Sequence, residues 1–244
     1  MALFFSLVLP AYNEAKSLPS AVEAARRELK KIPGLRRFEI IIAEDGARDN
    51  TPQVAERLAK KYREVRHLHS AQRLGRGKAL NKAFRSARGN VVAFMDVDLA
   101  TNPKHLAELV GYSRSFDIVI GSRYLRASRA SRSRSRWLLS EGFNFLVRAL
   151  LGSKLRDHQC GFKAFRKSAL LRLLPRVRAR HWFWDTELLV LAQRAGLSIK
   201  EFPVDWVEKG GGGKTKVNLR RDVVEMFLSI LRMRVALWAG GYDV

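Results

Sequence analysis

Short apolar segments alternate with longer amphipathic segments through the first half of the chain, and this alternation constrains the fold more than any other feature. The apolar segments are residues 3–10, 38–43, 91–95 and 117–120, and segments with a helical pattern separate them. This order predicts an α/β domain with a mainly parallel central sheet flanked by helices. Since 244 residues can bury one substantial core, a single main domain is the simplest expectation.

The second half of the chain has a different pattern. Residues 122–136 are rich in Ser and Arg and have no apolar face, which predicts a mobile loop. Helices are expected at residues 137–151 and 181–195, and a strand is expected at residues 200–207. Four glycines at 210–213 indicate a hinge. Residues 217–244 predict an amphipathic helix appended to a main domain of residues 1–216.

The net charge of the chain limits its partners and not its fold. Lysine and arginine number 46 against 23 acidic residues, which gives a charge of +23. Such a field attracts anions, and it leaves nucleic acid, an anionic membrane surface and phosphorylated substrates open as partners. The single cysteine, Cys160, excludes an internal disulfide framework and suits a reducing compartment.

Contact with a membrane is expected to be peripheral. No window reaches the roughly 18 to 20 apolar residues that a transmembrane helix needs. The first ten residues lack the basic segment and the cleavage site of a signal peptide, so a cytoplasmic location is expected. In the C-terminal helix, apolar residues such as Phe227 and Trp238 are interspersed with Arg232 and Arg234, which suits an interfacial helix. Packing onto the domain or onto a second subunit is the alternative, so the oligomeric state stays open.

Acidic residues follow three of the predicted strands. Glu14 follows the first strand, Asp45 follows the second, and Asp96 and Asp98 follow the strand 91–95. Residues i and i+2 of a strand share a face, and ligands of open α/β sheets bind at the carboxyl edge, so these last two carboxylates are expected to project together there. Such a pair suits Mg²⁺ or Mn²⁺ beside a diphosphate. A lone Asp-x-Asp pair is as often part of a turn, but acids after three strands favour a nucleotide site.

Seven short motifs together resemble a known enzyme family. VLPAYNE (8–14), EDG (44–46), DVD (96–98) and GSR (121–123) are similar, in this order, to the inverting glycosyltransferases of family 2, which have the Rossmann-like GT-A fold. DHQCGFK (157–163), WDTELL (184–189) and VDW (204–206) resemble dolichyl-phosphate glucosyltransferases, with dolichyl-phosphate mannose synthases as near relatives. The resemblance implies a GT-A glycosyltransferase domain over residues 1–216.

The resemblance also implies a reaction and a set of roles. A hexose would pass, with inversion, from a nucleotide-diphosphate sugar to a polyisoprenyl (dolichyl-type) phosphate at the cytosolic face of a membrane. The nucleotide pocket would be lined by Pro10, Tyr12, Glu14 and Asp45, the last on the base or ribose. Asp96 would lie on the ribose side and would hold Mg²⁺ or Mn²⁺ together with Asp98, the principal ligand. Arg123 would bind the acceptor phosphate.

One departure from the mannose synthases favours a particular donor. Those enzymes usually carry DxDLQ, with the glutamine as a third metal ligand, whereas Ala100 stands at that position here and Thr101 follows. The glucosyltransferase branch resembles this chain better, so UDP-glucose is favoured over GDP-mannose. A phosphate monoester is mostly dianionic at pH 7 and needs little help from a general base, which suits a chain without an obvious catalytic histidine.

Several basic side chains are candidates for phosphate contacts. Within 122–136, Arg123 and Arg136 are the expected acceptor contacts, because arginine binds phosphate through paired N–H donors; a solvated loop or an RNA-binding arm is the alternative. Lys78, in the turn RLGRGK, is expected beside the donor or at a solvated helix start. Lys214, after the four glycines, is expected to close over the diphosphate.

Two further interpretations complete the set. Asp185, at a predicted helix start, is expected to act in catalysis beside the acceptor, and favourable placement on the helix dipole is the alternative. A basic RNA-binding protein is the rival from another class. That class does not explain acids after three strands, and the sequence has no RRM, KH or zinc signature, so nucleic acid is not expected as a partner.

Overall fold

The computed structural model describes residues 3–131, 133–208 and 219–242. The strands are β1 Phe4–Ala11, β2 Arg37–Glu44, β3 Val65–Leu68, β4 Val91–Met95, β5 Ile118–Ser122, β6 Arg129–Ser131, β7 Phe162–Arg166, β8 Ile199–Pro203 and β9 Asp205–Val207. The α-helices are α1 Leu18–Lys31, α2 Thr51–Lys61, α3 Arg76–Ser86, α4 Leu106–Tyr112, α5 Arg134–Leu151, α6 Lys167–Leu173, α7 Trp184–Arg194 and α8 Leu219–Trp238. Short 3₁₀ turns at Pro103–His105 and Leu174–Arg176 adjoin α4 and α6.

A seven-stranded sheet forms the centre of the described chain. Its strand order is β3-β2-β1-β4-β7-β5-β8, and β6 and β9 form a separate two-stranded sheet. Neighbours in the large sheet run parallel, except that β7 is antiparallel to both β4 and β5. The mainly parallel sheet flanked by helices is therefore confirmed.

Both faces of the sheet are covered, which explains the nearly continuous apolar runs in its strands. Successive side chains point to opposite faces, so Leu7 and Ile40 pack with α1, α2 and α4, whereas Val8 and Ile41 pack with α3, α6 and α7. The helices also carry local signals that fit their bounds. Pro52 lies in the first turn of α2, where its missing N–H costs nothing, and lysines occupy the last turn, where the helix dipole favours them.

Strand β7 is a feature that the sequence pattern does not predict. A lysine, Lys163, interrupts the apolar run, yet its side chain is completely buried. The strand forms because β4 and β5 pair with it on either side, and the lysine is tolerated because its ammonium pairs with a carboxylate and donates to a backbone carbonyl. Tertiary pairing therefore decides the conformation of residues 162–166.

The Ser/Arg segment 122–136 is partly ordered, which differs from the loop that composition predicts. Ser122 ends β5, Arg129–Ser131 forms β6, and α5 already begins at Arg134. β6 needs no apolar face because it is held by parallel backbone pairing with β9, with Arg129 opposite Asp205. Residue 132 lies outside the described residues.

Helix α8 forms as predicted at the C-terminus. Ile230 and Met233 are buried in the core cluster that also contains α7, so one side of the helix packs on the domain. A second set of apolar residues on α8 stays exposed: Val224, Phe227, Leu231, Val235 and Trp238. The glycine hinge 210–213 lies outside the described residues. Within the described chain, every helix is too short or too polar to cross a bilayer.

Candidate active site

The carboxyl edge of the sheet carries the acidic residues that the sequence analysis singles out. β4 ends at Met95, and the backbone N–H of Asp96 then donates to the carbonyl of Gly161 at 3.1 Å. Asp98 is exposed, and one of its carboxylate oxygens accepts from the N–H of Ala100 at 2.9 Å. Both acids therefore lie at the expected edge, but in a turn beyond the last strand residue, so the two-residue repeat of a strand does not set their directions.

Asp96 has a partner that the sequence analysis missed. Arg76, the first residue of α3, donates from Nη2 to Asp96 Oδ1 at 2.9 Å and from Nη1 to Asp185 Oδ2 at 2.6 Å. Its side chain is largely buried, with the guanidinium over the ring of Phe94 at 5.0 Å. Burial opposes the charge, but the two carboxylates raise the pKa of Arg76 above its ordinary value, so it stays a cation.

Asp185 is buried. One of its carboxylate oxygens accepts from Arg76, and the other accepts from the ammonium of Lys163 at 2.7 Å. Lys163 is completely buried and also donates to the carbonyl of Cys160 at 2.6 Å. Asp185 does stand in the first turn of α7, where the helix dipole favours an acid. Its two ion pairs favour a positioning role, in which it orients Arg76 against Asp96, over direct contact with an acceptor.

Asp45 anchors the basic turn that precedes α3. Its two carboxylate oxygens accept from the N–H groups of Leu74 and Gly75 at 2.7 and 3.0 Å. Gly75 has a φ of 93°, a backbone conformation that is unfavourable for any residue with a side chain. Lys78 is exposed in the first turn of α3. The described geometry thus gives Asp45 a structural task in addition to the nucleotide contact predicted for it.

Three more of the predicted nucleotide contacts lie at or just beyond the end of β1. Pro10 lies in β1 opposite Ala43 of β2, near the end of both strands. The ring of Tyr12 lies under the guanidinium of Arg73, at 4.0 Å from its centroid. The backbone N–H of Glu14 donates to Thr51 Oγ1 at 2.8 Å. Lys214 lies outside the described residues.

Arg123 belongs to a second cluster, beyond the end of β5. Its Nε and Nη2 donate to the two oxygens of Asp157 at 2.7 and 2.8 Å, and its backbone N–H donates to the same carboxylate. Asp157 is completely buried. Burial opposes ionisation, but the guanidinium outweighs it and lowers the pKa of Asp157 to about 2. The arginine is therefore fixed in position with N–H donors left over.

A cavity of about 420 Å³ opens beside Arg123. Its lining residues are Arg123, Tyr124, Leu125, Trp137, Glu141, Arg148 and Arg156. Arg148 pairs with Glu141 at 3.3 Å, and three arginines against one glutamate along one cavity suit an anionic group such as a phosphate. Arg148 and Arg156 were missed by the sequence analysis because they stand outside the Ser/Arg segment and approach Arg123 only in the fold.

Arg136 does not line this cavity. It stands in the first turn of α5, is about half exposed, and pairs with Glu208. That ion pair joins α5 to the chain that follows β9. Arg136 and Arg123 thus have different carboxylate partners, Glu208 and Asp157, and the contact of both with one phosphate stays a prediction.

The cavity and the acidic edge are joined by a short run of backbone. The carboxylate of Asp157 accepts from the N–H groups of Gln159 and Cys160 at 3.2 and 3.1 Å. The next residue, Gly161, accepts from the backbone of Asp96, and a Cβ there would come within 1.7 Å of the Asp96 carboxylate. Only glycine fits this approach, so the segment 157–161 sets the position of Asp96 relative to Arg123.

The comparison with protein families gives one match over most of the chain. Residues 6–174 match the family described as Glycosyl transferase family 2. Among curated proteins, glycosyltransferase AglD of Haloferax volcanii is 50% identical over 229 residues, which are 93% of this chain but 36% of AglD. The human dolichyl-phosphate beta-glucosyltransferase is 35% identical over 84% of this chain and 68% of its own length. The Drosophila melanogaster enzyme of the same name is 34% identical over 97% and 77%.

Solved structures agree on the fold. Glucosyl-3-phosphoglycerate synthase of Mycobacterium tuberculosis, crystallised with Mn²⁺, UDP and phosphoglyceric acid, superposes with a TM-score of 0.66 at 20% identity, over 93% of this chain and 78% of its own. The mannosyltransferase PcManGT of Pyrobaculum calidifontis, in complex with GDP-Man and Mn²⁺, gives 0.62 at 21% identity over 95% and 65%. At these identities the likeness concerns the architecture alone, and it confirms the expected arrangement of sheet and helices.

Proposed function

Because this chain belongs to glycosyl transferase family 2, we propose that it transfers glucose from UDP-glucose to the phosphate of a dolichyl-type polyisoprenyl phosphate, with inversion at the anomeric carbon. The observation that carries the proposal is the similarity to dolichyl-phosphate beta-glucosyltransferases, which extends along 84% of the chain for the human enzyme and 97% for the Drosophila enzyme. The chain spans only 36% of AglD, so the further activities of that longer protein are left aside.

The acidic edge supports a site for the donor diphosphate and a divalent cation. Asp98 and Asp96 offer hard oxygen ligands, which Mg²⁺ and Mn²⁺ prefer. One oxygen of Asp96 is already paired with Arg76, so Asp98 would be the principal ligand and Asp96 the auxiliary one. The cation would neutralise negative charge on the departing diphosphate. Lys78 at the start of α3 and Lys214 would add positive charge to the same group.

The arginine-lined cavity supports a binding site for the acceptor phosphate. Asp157 fixes the guanidinium of Arg123, and Arg148 and Arg156 bring two more cations to the same space. A dianionic phosphate bound there can attack without a general base, because its second pKa is near ~6. Trp137 also lines the cavity and is 45% exposed. The isoprenyl chain would leave the cavity over Trp137 and the exposed Leu138 that follows it.

The exposed side of α8 supports attachment to a membrane surface. Apolar residues at 224, 227, 231, 235 and 238 recur at helical spacing and are exposed, whereas Ile230 and Met233 pack on the domain. Arg232 and Arg234 and the net charge of +23 favour anionic lipid headgroups. We therefore expect a peripheral enzyme at the cytosolic face, with a homo-oligomer as the alternative use of this surface.

The test is a transfer reaction with matched donors and acceptors. The purified chain is incubated with Mn²⁺, dolichyl phosphate and either radiolabelled UDP-glucose or radiolabelled GDP-mannose, and label is counted in the lipid extract. Dolichol, which lacks the phosphate, replaces dolichyl phosphate in a control reaction, and phosphoglyceric acid replaces it in a second. The proposal is supported if label appears in the lipid extract only when UDP-glucose and dolichyl phosphate are both present.

Each other outcome points elsewhere. Labelled lipid from GDP-mannose would make the chain a dolichyl-phosphate mannose synthase, and label in phosphoglycerate would make it a transferase to a soluble acceptor. Transfer to dolichol would show that the phosphate is not the nucleophile. No transfer by a folded chain, with RNA retained on a filter, would favour the basic RNA-binding alternative.

A further inference from the structure

Two histidines and a glutamate meet at the outer side of the sheet, away from Asp96 and Asp98. Glu44 is the last residue of β2, and His67 and His69 lie in and just after β3. β2 and β3 pair in parallel with Ile42 opposite His67, so Glu44 comes opposite His69. Since alternate strand residues share a face, all three side chains project from the same side. Their three ligand atoms lie within 4.8 Å of one another.

The burial of these groups and the distances between their polar atoms suit a metal site. The Glu44 side chain is completely buried; its Oε1 accepts from the N–H of Ala47 at 2.5 Å, and its Oε2 contacts His69 Nδ1. His67 Nε2 is 4.0 Å from the same Oε2.

One atom of this cluster has an unmet requirement. Within the described residues, His67 Nε2 is buried without a hydrogen-bond partner, which is unfavourable for a polar atom. His69, in contrast, is 54% exposed, so solvent and ions reach the cluster from its side. A cation between the three side chains would satisfy His67 Nε2 and neutralise the buried carboxylate at once.

We propose that Glu44, His67 and His69 form a binding site for a transition-metal cation of the zinc class. Two imidazoles and one carboxylate are a usual zinc set, with water in the fourth position. Ligand atoms around tetrahedral zinc are ~3.3 Å apart, given bonds of ~2.0–2.2 Å, so side-chain rotations that move the ligand atoms by up to about 1.5 Å bring the three to zinc distances. His67 binds through Nε2 with its ring proton on Nδ1, and His69 binds through Nδ1 with its ring proton on Nε2.

This site differs from the acidic edge in both place and chemistry. Glu44 stands on β2, and the sheet order puts β1 between β2 and β4, after which Asp96 and Asp98 follow. Nitrogen ligands select zinc or cobalt, whereas an all-oxygen set suits magnesium or manganese. The neighbouring Asp45 anchors the turn before α3, and Lys82 of α3 donates to the carbonyl of His69 at 3.0 Å. A cation here would fasten β2 to β3 beside the predicted nucleotide pocket.

Cobalt provides the probe for this proposal. The full chain, stripped of metal with a chelator, is titrated with Co²⁺ in the presence of excess Mg²⁺, which occupies all-oxygen sites without competing for imidazole. Four-coordinate cobalt with nitrogen ligands absorbs visible light far more strongly than octahedral cobalt with oxygen ligands. We expect an absorption band that saturates at one Co²⁺ per chain and disappears when one Zn²⁺ is added.

Two ligand variants and one control variant test the assignment. Glu44→Gln removes the anionic ligand at nearly constant volume, and His69→Ala removes a side chain that is 54% exposed. Each should weaken cobalt affinity by more than ~10-fold, since even loss of groups that only support a ligand costs that much. His181→Ala removes one exposed histidine elsewhere and should leave the titration unchanged.

The same samples give a second readout. Zn²⁺ should raise the melting temperature of the wild type and of His181→Ala, and should leave that of His69→Ala unchanged, because a ligand stabilises only the state that binds it. A wild type without a strong cobalt band, or an equal band in His69→Ala, would overturn the proposal. Glucosyl transfer plays no part in these measurements, so they stand or fall independently of the proposed function.

Discussion

Arg76 gives the two carboxylates after β4 unequal surroundings. It pairs with one oxygen of Asp96, whereas the carboxylate of Asp98 is exposed and accepts from the backbone of Ala100. A cation beside Asp96 reduces its attraction for a metal ion. We therefore expect Asp98 to be the principal ligand of the cation in the proposed site.

We expect Asp98→Ala to lower kcat/KM for glucosyl transfer by at least ~10²-fold, because it removes the principal ligand of the cation that stabilises the leaving diphosphate. The measurement is the transfer rate at saturating Mn²⁺, which excludes a simple loss of metal affinity. Glu56→Ala, which removes an exposed acid on α2, is the control and should keep the wild-type rate. Retained activity in Asp98→Ala would remove this residue from the mechanism.

Arg156 offers a cleaner test of the cavity than Arg123. Arg123 forms a buried pair with Asp157, so Arg123→Ala should destabilise the fold by ~3–5 kcal/mol and confuse the result. Arg156 is exposed and lines the same cavity. We expect Arg156→Ala to raise KM for dolichyl phosphate by about 10-fold, the value of one charged hydrogen bond, with KM for UDP-glucose unchanged.

The control for this variant is Arg57→Ala, which removes an exposed arginine of α2 outside the cavity. It should leave both KM values unchanged if local contact, and not the overall charge, binds the phosphate. Equal rises in the two KM values of Arg156→Ala would contradict an acceptor site at the cavity.

Site residues that belong to a sequence motif could be predicted. Residues that join the site only through contacts between distant parts of the chain could not. Asp98 and Arg123 belong to motifs that follow strands, so their places at the edge could be expected. Arg76 and Lys163 meet at Asp185, which is 109 residues from the first and 22 from the second. Nothing in the local pattern links these three positions, because the ion pairs depend on α3, α7 and β7 packing together.

Among the elements, the strands with regular apolar patterns were predicted correctly, whereas the strands held mainly by pairing with distant segments were not predicted. β1, β2 and β4 are continuous apolar runs, and their parallel arrangement follows from the helices between them. β6 and β7 instead owe their conformation to partners that are distant in sequence, namely β9 for the first and β4 and β5 for the second. A polar or interrupted strand of this kind gives no periodic signal, so composition predicts a loop.

Helix α8 has two apolar sides, and the exposed side can be tested without disturbing the buried one. Removal of the helix would expose the core around Ile230, so substitution is preferable to truncation. Phe227 and Leu231 are 41% and 38% exposed and lie one turn apart. We expect the double variant Phe227→Gln, Leu231→Gln to reduce partition into anionic liposomes by about 10-fold, the effect of losing ~60 Å² of apolar burial.

Flotation of the protein with liposomes measures this partition. Val207→Gln, which makes an exposed apolar residue of β9 polar, is the control and should float like the wild type. If the double variant floats normally but its sedimentation behaviour changes from oligomer to monomer, the exposed side of α8 is a subunit interface and not a membrane surface.

At the scale of the whole molecule, the basic charge and the acidic edge are complementary. The 23 acids can neutralise at most half of the 46 lysines and arginines, so most of the surface field is positive. Against that background the few acids at the sheet edge and the buried Asp157 hold specific positions. The field attracts phosphorylated molecules generally, whereas the fixed arginines and carboxylates distinguish one from another.

Global stability should depend on pH through the buried network behind the cavity. His158 is completely buried, donates from Nδ1 to Asn144 Oδ1, and accepts from Ser153 Oγ at Nε2, both at 2.7 Å. These bonds need the neutral ring, and burial lowers the pKa of His158 from 6.5 to about 3. Asp157 next to it needs the opposite, since its pair with Arg123 requires the ionised carboxylate.

His158 and Asp157 both contribute less to the stability of the fold as the pH falls. A lowered pKa stabilises the folded state above the unfolded pKa, so the contribution of His158 is complete above pH 6.5 and falls as pH drops toward 3. That of Asp157 falls between 3.8 and about 2. On the order of 5 and 2 kcal/mol are lost once both changes are complete, against ~5–15 kcal/mol for a whole domain, so the fold should be weakened at pH 4 and should fail at lower pH.

Urea unfolding at pH 7, 5.5 and 4 measures this dependence. We expect the free energy of unfolding of the wild type to fall steadily over this range, and that of His158→Gln to start lower but change much less, because glutamine takes up no proton. His181→Gln, a change at an exposed histidine, should keep the wild-type slope. Parallel curves for the wild type and His158→Gln would mean that His158 takes up its proton equally in the folded and unfolded states, so its pKa would not be lowered and the hydrogen bonds assigned to its neutral ring would be contradicted.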